Sequence, residues 1–431
     1  MSQRKTLLIL SQVYVPDPAA VGQHMHDAAA EMARRGWRVV VYASARGYDD
    51  PTRKYPAREV RDGVEIRRLP LSSFGKGSIA LRLVGGWVFL AQALWRGLWT
   101  RDLRALLVST SPPMASIAAV VIRWLRRVPV VFWAMDINPD QMVAMGKAKP
   151  GSLAVRVFDG MNRLILRRAA AVVALDRFMG QRLECKAPLG QRLVILPPWP
   201  HEDHLEPVDH ADNPFRREHG LEGKCVVMYS GNISLSHPVD TVLEAAKRLQ
   251  DVPELVFVFI GGGLGKKMVD AFIAREGVGN VRTLPYQPLE RIKYSLSAAD
   301  VHLVAMGDEM VGIVHPCKVY GAMTVARPIL LLGPRASHIG QILDQDAIGW
   351  QVDQGDVEGA VRTLRAIVAM SEQERAAMGR RARQAMLSRY SMKALRGAFC
   401  DALERAANGQ SPSVEVEAAA LGPQPATLNH R

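Results

Sequence analysis

The sequence predicts an α/β protein with two Rossmann-like domains, and three observations support this. Its 431 residues exceed the roughly 250–300 at which a single hydrophobic core stops growing. Apolar runs rich in β-formers alternate with segments of helical period, as in parallel, doubly wound sheets. The stretch PPWPHEDHLEPVDHADNP lacks periodicity and interrupts this alternation. We therefore expect a first domain over 1–200 and a second over 201–408, with a disordered tail over 409–431.

The elements of the first domain can be placed in order. TLLIL predicts the first strand, the helix after it covers about 23–35, and Gly36 is a typical C-terminal stop. RVVVYAS predicts the next strand. The elements that follow are predicted as strand VEIRRLPL, helix 78–99, strand ALLVST, helix 114–126, strand PVVFWAMD, helix 153–168, and strands AVVALD and LVILPP.

The second domain repeats the pattern. Its predicted elements are strand CVVMYSGN, helix 239–249, strand LVFVFIGGG, helix 266–275, strand VRTLPY, helix 289–299, strand DVHLVAM, helix 318–325 and strand PILLLG. Residues 356–407 are helical in pattern. The segment from Gly409 holds no aromatic residue, which favours disorder.

Charge is distributed unevenly along the chain. Residues 1–200 carry 30 Lys and Arg against 14 Asp and Glu, a net +16, whereas the remainder carries 25 against 28. Such a basic half could serve nucleic acid, an anionic membrane surface or an anionic substrate, or only solvate helix faces. The arginines lack the interleaved aromatic platforms of nucleic-acid-binding proteins, so we expect no nucleic-acid partner.

Several classes of protein are disfavoured. The four cysteines form no CxxC pair, which argues against a disulfide framework or a zinc knuckle and fits a reducing cytosol. We expect no secretory signal, because Met1 to Arg4 lead directly into the strand-length run TLLIL. The run LVGGWVFLAQALW is too short to span a bilayer, and suits a buried or an interfacial helix. Trp87, Trp95 and Trp99 in the predicted helix 78–99 are therefore either core residues or membrane anchors.

Loops after the predicted strands are where ligands bind in open α/β sheets. Gly231 and Asn232 follow the strand CVVMY, and Gly262 and Gly263 follow the next strand, ahead of a helix whose N-terminus suits phosphate. Neither loop has the Walker pattern or a dinucleotide fingerprint, which disfavours an ATPase or a dehydrogenase. Each glycine loop taken alone is better explained as a simple turn.

The strongest local signal is HPCKVYG. Pro316 and Lys318 stand at the entry of a short helix, where the lysine can place a compact charge on a phosphate group. With SGN and the glycine loop before it, this segment resembles the nucleotide-sugar half of glycosyltransferase family 4, which has the GT-B fold, and most closely its colanic-acid-biosynthesis-type branch. The resemblance extends from about Leu7 to Leu403.

This resemblance implies a retaining glycosyltransferase of surface polysaccharide assembly. Its donor would be a nucleoside diphosphate sugar bound by the second domain, and the first domain would present a saccharide acceptor, often lipid-linked, across a cleft. The family needs neither a cofactor nor a metal ion, and the sequence likewise shows no DxD loop after a strand and no His/Cys cluster. We expect a cytoplasmic protein, with the option of peripheral attachment to the inner face of the cell membrane.

Carried over residue by residue, the resemblance assigns roles in the donor site. Gly231 and Asn232 match the loop on the diphosphate side, and Gly262 and Gly263 match the second glycine loop. Lys318 matches the position that neutralises phosphate.

Further positions match by the same resemblance. Tyr286 and Gln287 match the segment that flanks the nucleobase. On the first domain Gly22 matches the glycine of the loop after the first strand. Asp136 begins a motif similar to the D-x-x-P-acid motif of the family, which continues with Pro139 and Asp140.

Two departures separate this chain from the family pattern. The E-x7-E pair would fall on Ile313 and Gly321, so the usual ribose-binding glutamate is absent, and Glu309 is the available substitute. The Arg and Lys common after SGN are replaced by SLSHP, which leaves more of the diphosphate charge to Lys318 and to backbone dipoles.

Two other functions stay open from the sequence: a GT-B sugar-nucleotide epimerase, and a non-catalytic, membrane-associated protein that binds a sugar nucleotide. Among residues that could mislead, His24 and His26 are expected at the surface, and Ser109 and Ser111 lack the GxSxG elbow of a nucleophile.

Overall fold

The computed structural model describes residues 5–17, 19–47, 50–72, 79–112 and 114–412. Their chain divides into two compact units. The first contains residues up to Trp199, the segment Gly312–Val314 and the described residues from Lys393 onward, and the second contains Pro200–Val311 and His315–Met392. Of the predicted tail over 409–431, residues 413–431 lie outside the described part of the chain.

The first unit is built on an eight-stranded sheet in the order β3-β4-β2-β1-β5-β6-β7-β8. Its strands are β1 (Thr6–Leu10), β2 (Arg38–Ser44), β3 (Arg58–Arg61), β4 (Val64–Leu69), β5 (Leu103–Ser109), β6 (Val130–Ala134), β7 (Ala171–Ala174) and β8 (Leu193–Ile195). Its helices up to residue 199 are α1 (Ala20–Arg34), α2 (Ile79–Leu98), α3 (Ala115–Arg126), α4 (Asp140–Ala144), α5 (Leu153–Arg168) and α6 (Arg177–Lys186).

The second unit is built on a six-stranded sheet in the order β11-β10-β9-β12-β13-β14. Its strands are β9 (Cys225–Asn232), β10 (Leu255–Gly262), β11 (Val281–Leu284), β12 (Val301–Ala305), β13 (Ile329–Leu332) and β14 (Gly349–Val352). Its helices are α7 (Pro214–Glu218), α8 (Asp240–Arg248), α9 (Leu264–Glu276), α10 (Ile292–Ser297), α11 (Lys318–Thr324), α12 (His338–Asp346), α13 (Val357–Ala369) and α14 (Glu372–Arg389).

The central strands explain why the sequence shows apolar runs rather than alternation. β1, β6 and β7 are buried at every position, since helices cover both faces of the sheet. The prediction of two doubly wound α/β domains is therefore confirmed.

One edge of the first sheet differs from the all-parallel prediction. β3 pairs with β4 in antiparallel register, Arg61 opposite Val64. The turn between them holds Asp62 and Gly63, both at positive φ (50° and 78°). An Asp-Gly pair is the signature of a two-residue hairpin turn, so the signal for β3 was present in the sequence.

The last helix, α15 (Met392–Ala407), belongs to the first unit from Lys393 onward, although the sequence placed all of 201–408 in the second domain. The reason is packing. The Phe399 ring lies 4.1 Å from that of Trp133 at the end of β6. The guanidinium of Arg35 contacts Asp401 at 2.6 Å and Glu404 at 2.9 Å. A sequence period identifies this helix, but it cannot say which sheet receives it.

Several short helices were not predicted, although their caps are visible in the sequence. The Asp176 carboxylate accepts a hydrogen bond from Met179 N at 2.8 Å at the start of α6. Ser337 caps α12 in the same way. No described helix combines the length and the apolar character that crossing a lipid bilayer requires.

Phe399→Ala should destabilise the first domain by about 3–5 kcal/mol, because it removes a fully buried ring and leaves a cavity beside Trp133. Urea unfolding followed by fluorescence measures the change. Phe399→Leu, the matched control, should lose clearly less. Equal stability of Phe399→Ala and wild type would contradict the packing described for α15.

Candidate functional site

Two glycine loops lie side by side at the carboxyl ends of β9 and β10. Gly231 pairs with Gly261, and Asn232 pairs with Gly262, in the last positions of the parallel register. Ile233 N donates to Gly262 O at 2.8 Å and continues the pairing past the strand ends. The two loops that the sequence predicted separately therefore form one surface.

Gly231 is required at its position for two reasons. Its φ of +123° is a conformation that side chains other than glycine rarely adopt. A Cβ there would also lie 2.9 Å from Cε of Lys318. The lysine stem crosses directly over the end of β9, and its ammonium lies 5.0 Å from the ring centroid of Tyr229. The structure thus brings the predicted phosphate-neutralising residue onto the predicted diphosphate loop.

Lys318 is the first residue of α11 and is half-buried. Removal from water disfavours its charged form and lowers the pKa of the ammonium to about 8. Pro316, buried two residues earlier, precedes the helix. The ammonium of Lys318 is therefore only partly hydrated. A partly desolvated positive charge of this kind is typical of a site that binds an anionic ligand.

The second loop leads directly into α9. Gly263 caps this helix at φ +101° without a side-chain cap, and a Cβ at that position would overlap Oδ1 of Asn232 and lie 2.6 Å from Ile233 O. Gly265 N donates to Ile233 O at 2.8 Å. The close approach of the two backbones holds the N-terminus of a 13-residue helix at the loop surface, where helix N-termini attract anions.

Tyr286 and Gln287 lie beyond β11, beside the glycine loop. A Cβ on Gly262 would lie 2.9 Å from Cε2 of Tyr286, so the ring rests against the glycine. The ring is 59% exposed and presents a flat aromatic surface. Gln287 Nε2 donates to Pro285 O at 3.0 Å, which fixes the side chain near its own backbone. Their role toward a nucleobase stays a prediction.

His237 is a residue of this site that the sequence reasoning missed. Its Nδ1 lies 2.7 Å from Oγ of Ser234, which lies 2.6 Å from Oγ of Ser236. Its Nε2 is buried, and no described residue hydrogen-bonds to it. Burial and the nearby charge of Lys318 lower the pKa of His237 to about 3. The imidazole is neutral and offers one unpaired nitrogen.

A signal for His237 existed in the sequence. The SLSHP run stands where relatives carry Arg and Lys, and His237 is the only ionisable residue among its five. A loop histidine shows nothing of its burial until the fold is known.

The substitute acid proposed from the sequence lies next to the same loop. Glu309 is exposed in a short 3₁₀ turn, Asp308–Met310, and Gly307 N donates to Ser236 O at 3.1 Å. The loop after β12 is thereby attached to the SLSHP loop. Its role in ribose binding stays a prediction.

On the first domain, Asp136 follows β6 as predicted. Burial raises the pKa of its carboxyl group, while the side chains of Thr110 and Asn138 oppose that rise. Asp140, the last acid of the motif, forms an ion pair with Lys186 at 2.8 Å and is therefore not a free carboxylate. Pro139 is buried between them and caps α4.

Gly22 lies elsewhere than predicted, in the first turn of α1 rather than in the loop before it. Helix α1 begins three residues before the predicted start, at Ala20. A Cβ on Gly22 would lie 3.0 Å from Cα of Tyr14. The glycine therefore lets the loop after β1 pack against the helix, which explains its small size without a ligand.

The expectation that His24 and His26 lie at the surface was wrong, since both are buried. The ring of His24 packs edge-on against Trp199 at 5.2 Å. His26 Nδ1 lies 3.0 Å from Oη of Tyr14, and its Nε2 lies 2.8 Å from Oδ2 of Asp62. The two histidines point to nearly opposite sides of α1, since two residues turn a helix by about 200°, and each side is covered, by Trp199 over His24 and by Tyr14 and Asp62 over His26.

Comparison with protein families gives two matches that together cover most of the chain. Residues 19–199 match a glycosyl transferase 4-like domain. Residues 212–385 match the glycosyl transferases group 1 family. The Gly231, Gly263 and Lys318 cluster lies entirely in the second match.

Two curated proteins are similar in sequence. The probable glycosyltransferase WbjE of Pseudomonas aeruginosa is 26% identical over 66% of this chain and 70% of its own length. The putative colanic acid biosynthesis glycosyl transferase WcaI of Escherichia coli (strain K12) is 26% identical over 54% of this chain and 59% of its own length.

Solved structures share the fold. A sucrose-phosphate synthase from Thermosynechococcus elongatus matches with a TM-score of 0.74 at 14% identity, over 92% of this chain and 97% of its own. HepE of Anabaena, in complex with UDP and glucose, matches with a TM-score of 0.69 at 13% identity, over 93% and 100%. WaaG, a glycosyltransferase involved in lipopolysaccharide biosynthesis, matches with a TM-score of 0.64 at 16% identity, over 92% and 99%.

Lys318→Met should raise the melting temperature of the ligand-free protein. The lowered pKa means that the folded state binds the lysine proton less tightly than the unfolded state does, so the cost is complete below pH 8. The cost fades as the pH rises from about 8 towards the ordinary lysine pKa near 10.4, and the gain of the variant should shrink with it.

The matched control is Lys247→Met, which makes the same change at an exposed position on α8. Thermal unfolding of the three proteins between neutral and alkaline pH provides the measurement. A lower melting temperature for Lys318→Met at neutral pH would show that the buried ammonium stabilises the fold and is paired there.

Proposed function

The chain belongs to glycosyltransferase family 4 and has the GT-B fold, and from this premise we propose that it is a retaining hexosyltransferase. The donor is a nucleoside diphosphate sugar, and the acceptor is a saccharide carried on a lipid. The reaction serves the assembly of a surface polysaccharide. The names of WbjE, WcaI and WaaG support this setting, because they describe glycosyltransferases, one of colanic acid and one of lipopolysaccharide biosynthesis.

The observation that carries the donor assignment is the meeting of a half-buried ammonium, a glycine loop and a helix N-terminus at one place. Lys318 crosses Gly231, and α9 begins at the neighbouring loop. All three features favour negative charge, and the diphosphate of a sugar nucleotide supplies it. HepE, similar in fold over 93% of this chain, was solved with UDP-glucose, which supports the same class of donor.

The chemical difficulty of the reaction is the departing nucleoside diphosphate. As the bond between the anomeric carbon and the phosphate oxygen breaks, negative charge grows on that oxygen, and Lys318 with the loop amides stabilises it. The acceptor hydroxyl forms the new bond from the same face of the sugar. Its proton passes to the departing phosphate oxygen, which keeps the configuration and balances the step.

Asp136 acts on the acceptor side. Its raised pKa lets the carboxyl group hold a proton at a higher pH than an exposed aspartate does, so it either positions the acceptor hydroxyl or takes part in proton handling. Activity on the acceptor needs contact with a lipid-linked molecule. We therefore place the protein in the cytoplasm, attached peripherally to the inner face of the cell membrane.

The function is tested by turnover of a panel of nucleotide sugars with and without lipid-linked acceptor. We expect nucleoside diphosphate release only when acceptor is present, with the product in the same anomeric configuration as the donor. Conversion of the donor without acceptor would identify an epimerase. Binding without any conversion would identify a non-catalytic protein, and inverted product would exclude the retaining mechanism.

Lys318→Met should lower turnover by roughly 30- to 1,000-fold, which corresponds to about 2–4 kcal/mol of lost charge stabilisation. Steady-state kinetics with the best donor of the panel measure the effect. Lys247→Met should retain wild-type turnover, because Lys247 lies near the C-terminus of α8. This end of the helix lies near the amino ends of the strands, away from the glycine loops at their carboxyl ends. Full activity in Lys318→Met would remove the lysine from the mechanism.

Turnover should persist in excess EDTA, since Lys318 and backbone amides provide the positive charge that a divalent ion supplies elsewhere. The measurement is donor consumption in chelator, followed by addition of Mg or Mn ions as a control. Loss of activity that either ion restores would contradict metal independence, and would leave the donor assignment itself intact.

A further inference from the structure

A cleft of about 510 Å³ opens on the first domain, beside the C-terminal end of α2. None of its residues takes part in the donor chemistry proposed above. The lining consists of three arginines, two tryptophans and one tyrosine: Arg58, Arg67, Arg96, Trp95, Trp99 and Tyr42.

The floor of the cleft is a row of side chains across three neighbouring strands. Tyr42 of β2 pairs with Arg67 of β4, and Arg67 pairs with Arg58 of β3. Directly paired residues point to the same face of a sheet, so the three side chains line one surface. Tyr42 Oη lies 3.3 Å from the carbonyl oxygen of Arg96 and donates to it, which ties the sheet to the last turn of α2.

This row concentrates positive charge that the protein itself does not balance. Like charges directly opposite on paired strands disfavour folding, yet Arg58 and Arg67 occupy such a pair. Glu65 lies 2.8 Å from Arg67, but Arg38 shares it at 2.7 Å. Among the described residues, neither Arg58 nor Arg96 forms an ion pair. Glu65 is therefore divided between Arg38 and Arg67, and Arg58 and Arg96 are left without an acidic partner in the described part of the chain, so the cleft can accept an external anion.

Arginine determines the kind of anion. Its planar fork of donors matches phosphate oxygens, and several arginines around one cleft are typical of phosphate recognition. The volume exceeds that of a bare phosphate group, which leaves space for the substituent of a phosphate ester. The cleft therefore suits a phosphate ester better than an inorganic ion.

The side chains at the rim of the cleft indicate whether that phosphate ester is dissolved or part of a membrane. Trp95 and Trp99 are 67% and 72% exposed, and their ring centroids lie 6.1 Å apart. The opposite face of α2 is packed, because a Cβ on Gly97 would lie 2.5 Å from Cδ1 of Ile122. The tryptophans consequently face outward. The alternative that they form part of the core does not hold.

Further apolar side chains of α2 and α3 are exposed to solvent. Trp87 on α2 and Trp124 on α3, the helix that packs against α2, are 56% and 77% exposed. Leu125, the residue after Trp124, is also exposed. Tryptophan side chains beside arginines are characteristic of segments that rest at the interface of an anionic bilayer. A soluble phosphate ester would need the arginines but not this apolar rim.

We propose that the cleft binds the phosphate of an anionic phospholipid headgroup while Trp95 and Trp99 enter the interfacial layer of the membrane. This inference rests on the peripheral attachment in the proposed function, and it names the lipid class and the residues. It orients the first domain with α2 and α3 on the bilayer.

The test compares binding to vesicles of phosphatidylglycerol mixed with phosphatidylcholine against vesicles of phosphatidylcholine alone. The wild-type protein should co-sediment with the first and not with the second. The double variant R58Q/R96Q should bind roughly thirty-fold more weakly, since each basic residue at such a surface contributes about fivefold. Neither arginine is ion-paired in the described structure, so the variant should keep its melting temperature.

The charge-matched control is R248Q/R365Q, which removes two exposed arginines from helices of the second domain. It should bind within about threefold of the wild type, because distant charges are screened by salt. An equal loss in both double variants would show attraction by net charge alone and would overturn the cleft assignment. Absence of wild-type binding to phosphatidylglycerol vesicles would overturn it as well.

A second measurement tests whether the tryptophans enter the membrane, rather than whether charge attracts the protein to it. Brominated phosphatidylglycerol should quench tryptophan fluorescence in the wild type, and W95F/W99F should show clearly less quenching, the remainder coming from Trp87 and Trp124. Unchanged quenching in the variant would place other residues in the membrane. If inorganic phosphate or glycerol phosphate weakens vesicle binding only slightly, the lipid is the ligand; stronger binding of the soluble ester would overturn the proposal.

Failure of this inference and failure of the proposed function can be separated. Turnover with a soluble acceptor analogue should be equal in the wild type and R58Q/R96Q, because the cleft lies outside the donor site. If the protein turns over donor, and R58Q/R96Q binds vesicles as tightly as the wild type does, the inference is overturned and the proposed function is not. Specific vesicle binding without any turnover would overturn the proposed function and leave the cleft in place.

Discussion

The crossing of Lys318 over Gly231 is the contact on which the organisation of the second domain's loops depends. A side chain of any size at 231 would displace the lysine stem, and a residue other than glycine would not readily hold the backbone there. The same glycine is paired with Gly261, so its conformation also fixes the neighbouring loop and with it the start of α9. One backbone position thus sets the place of the ammonium and of the helix N-terminus together.

This arrangement carries a cost in the free energy of folding. The ammonium is drawn from water next to an aromatic ring, and the nearby imidazole of His237 is kept neutral with one nitrogen unpaired. Neither group helps the ligand-free protein to fold. The apolar strands beneath offset this, since β9, β10 and β12 are buried almost throughout. Stability supplied by the core allows the loops above it to remain unsatisfied until a ligand arrives.

The sequence predicted most of the fold because its signals are local. Strand-length apolar runs, helical periods and terminal glycines located nearly all central strands and long helices, and SGN, the glycine loop and PCK located the segments that meet around Lys318. It could not place the final helix, since the contact of Phe399 with Trp133 joins positions far apart in the chain. It also missed His237 and misjudged His26, because burial of a histidine depends on what the fold brings against it. The row of Tyr42, Arg67 and Arg58 was invisible for a similar reason, as it arises only from strand register.

The docking of α15 on the first domain has a consequence for biosynthesis. The first sheet is complete once the ribosome has passed residue 199, but its Trp133 surface stays uncovered until Phe399 has been made. At typical rates of translation the intervening second domain takes roughly 10–40 s to synthesise. During that time an aromatic surface is exposed on an otherwise folded nascent domain. The first domain therefore reaches its final form only after the second has been synthesised.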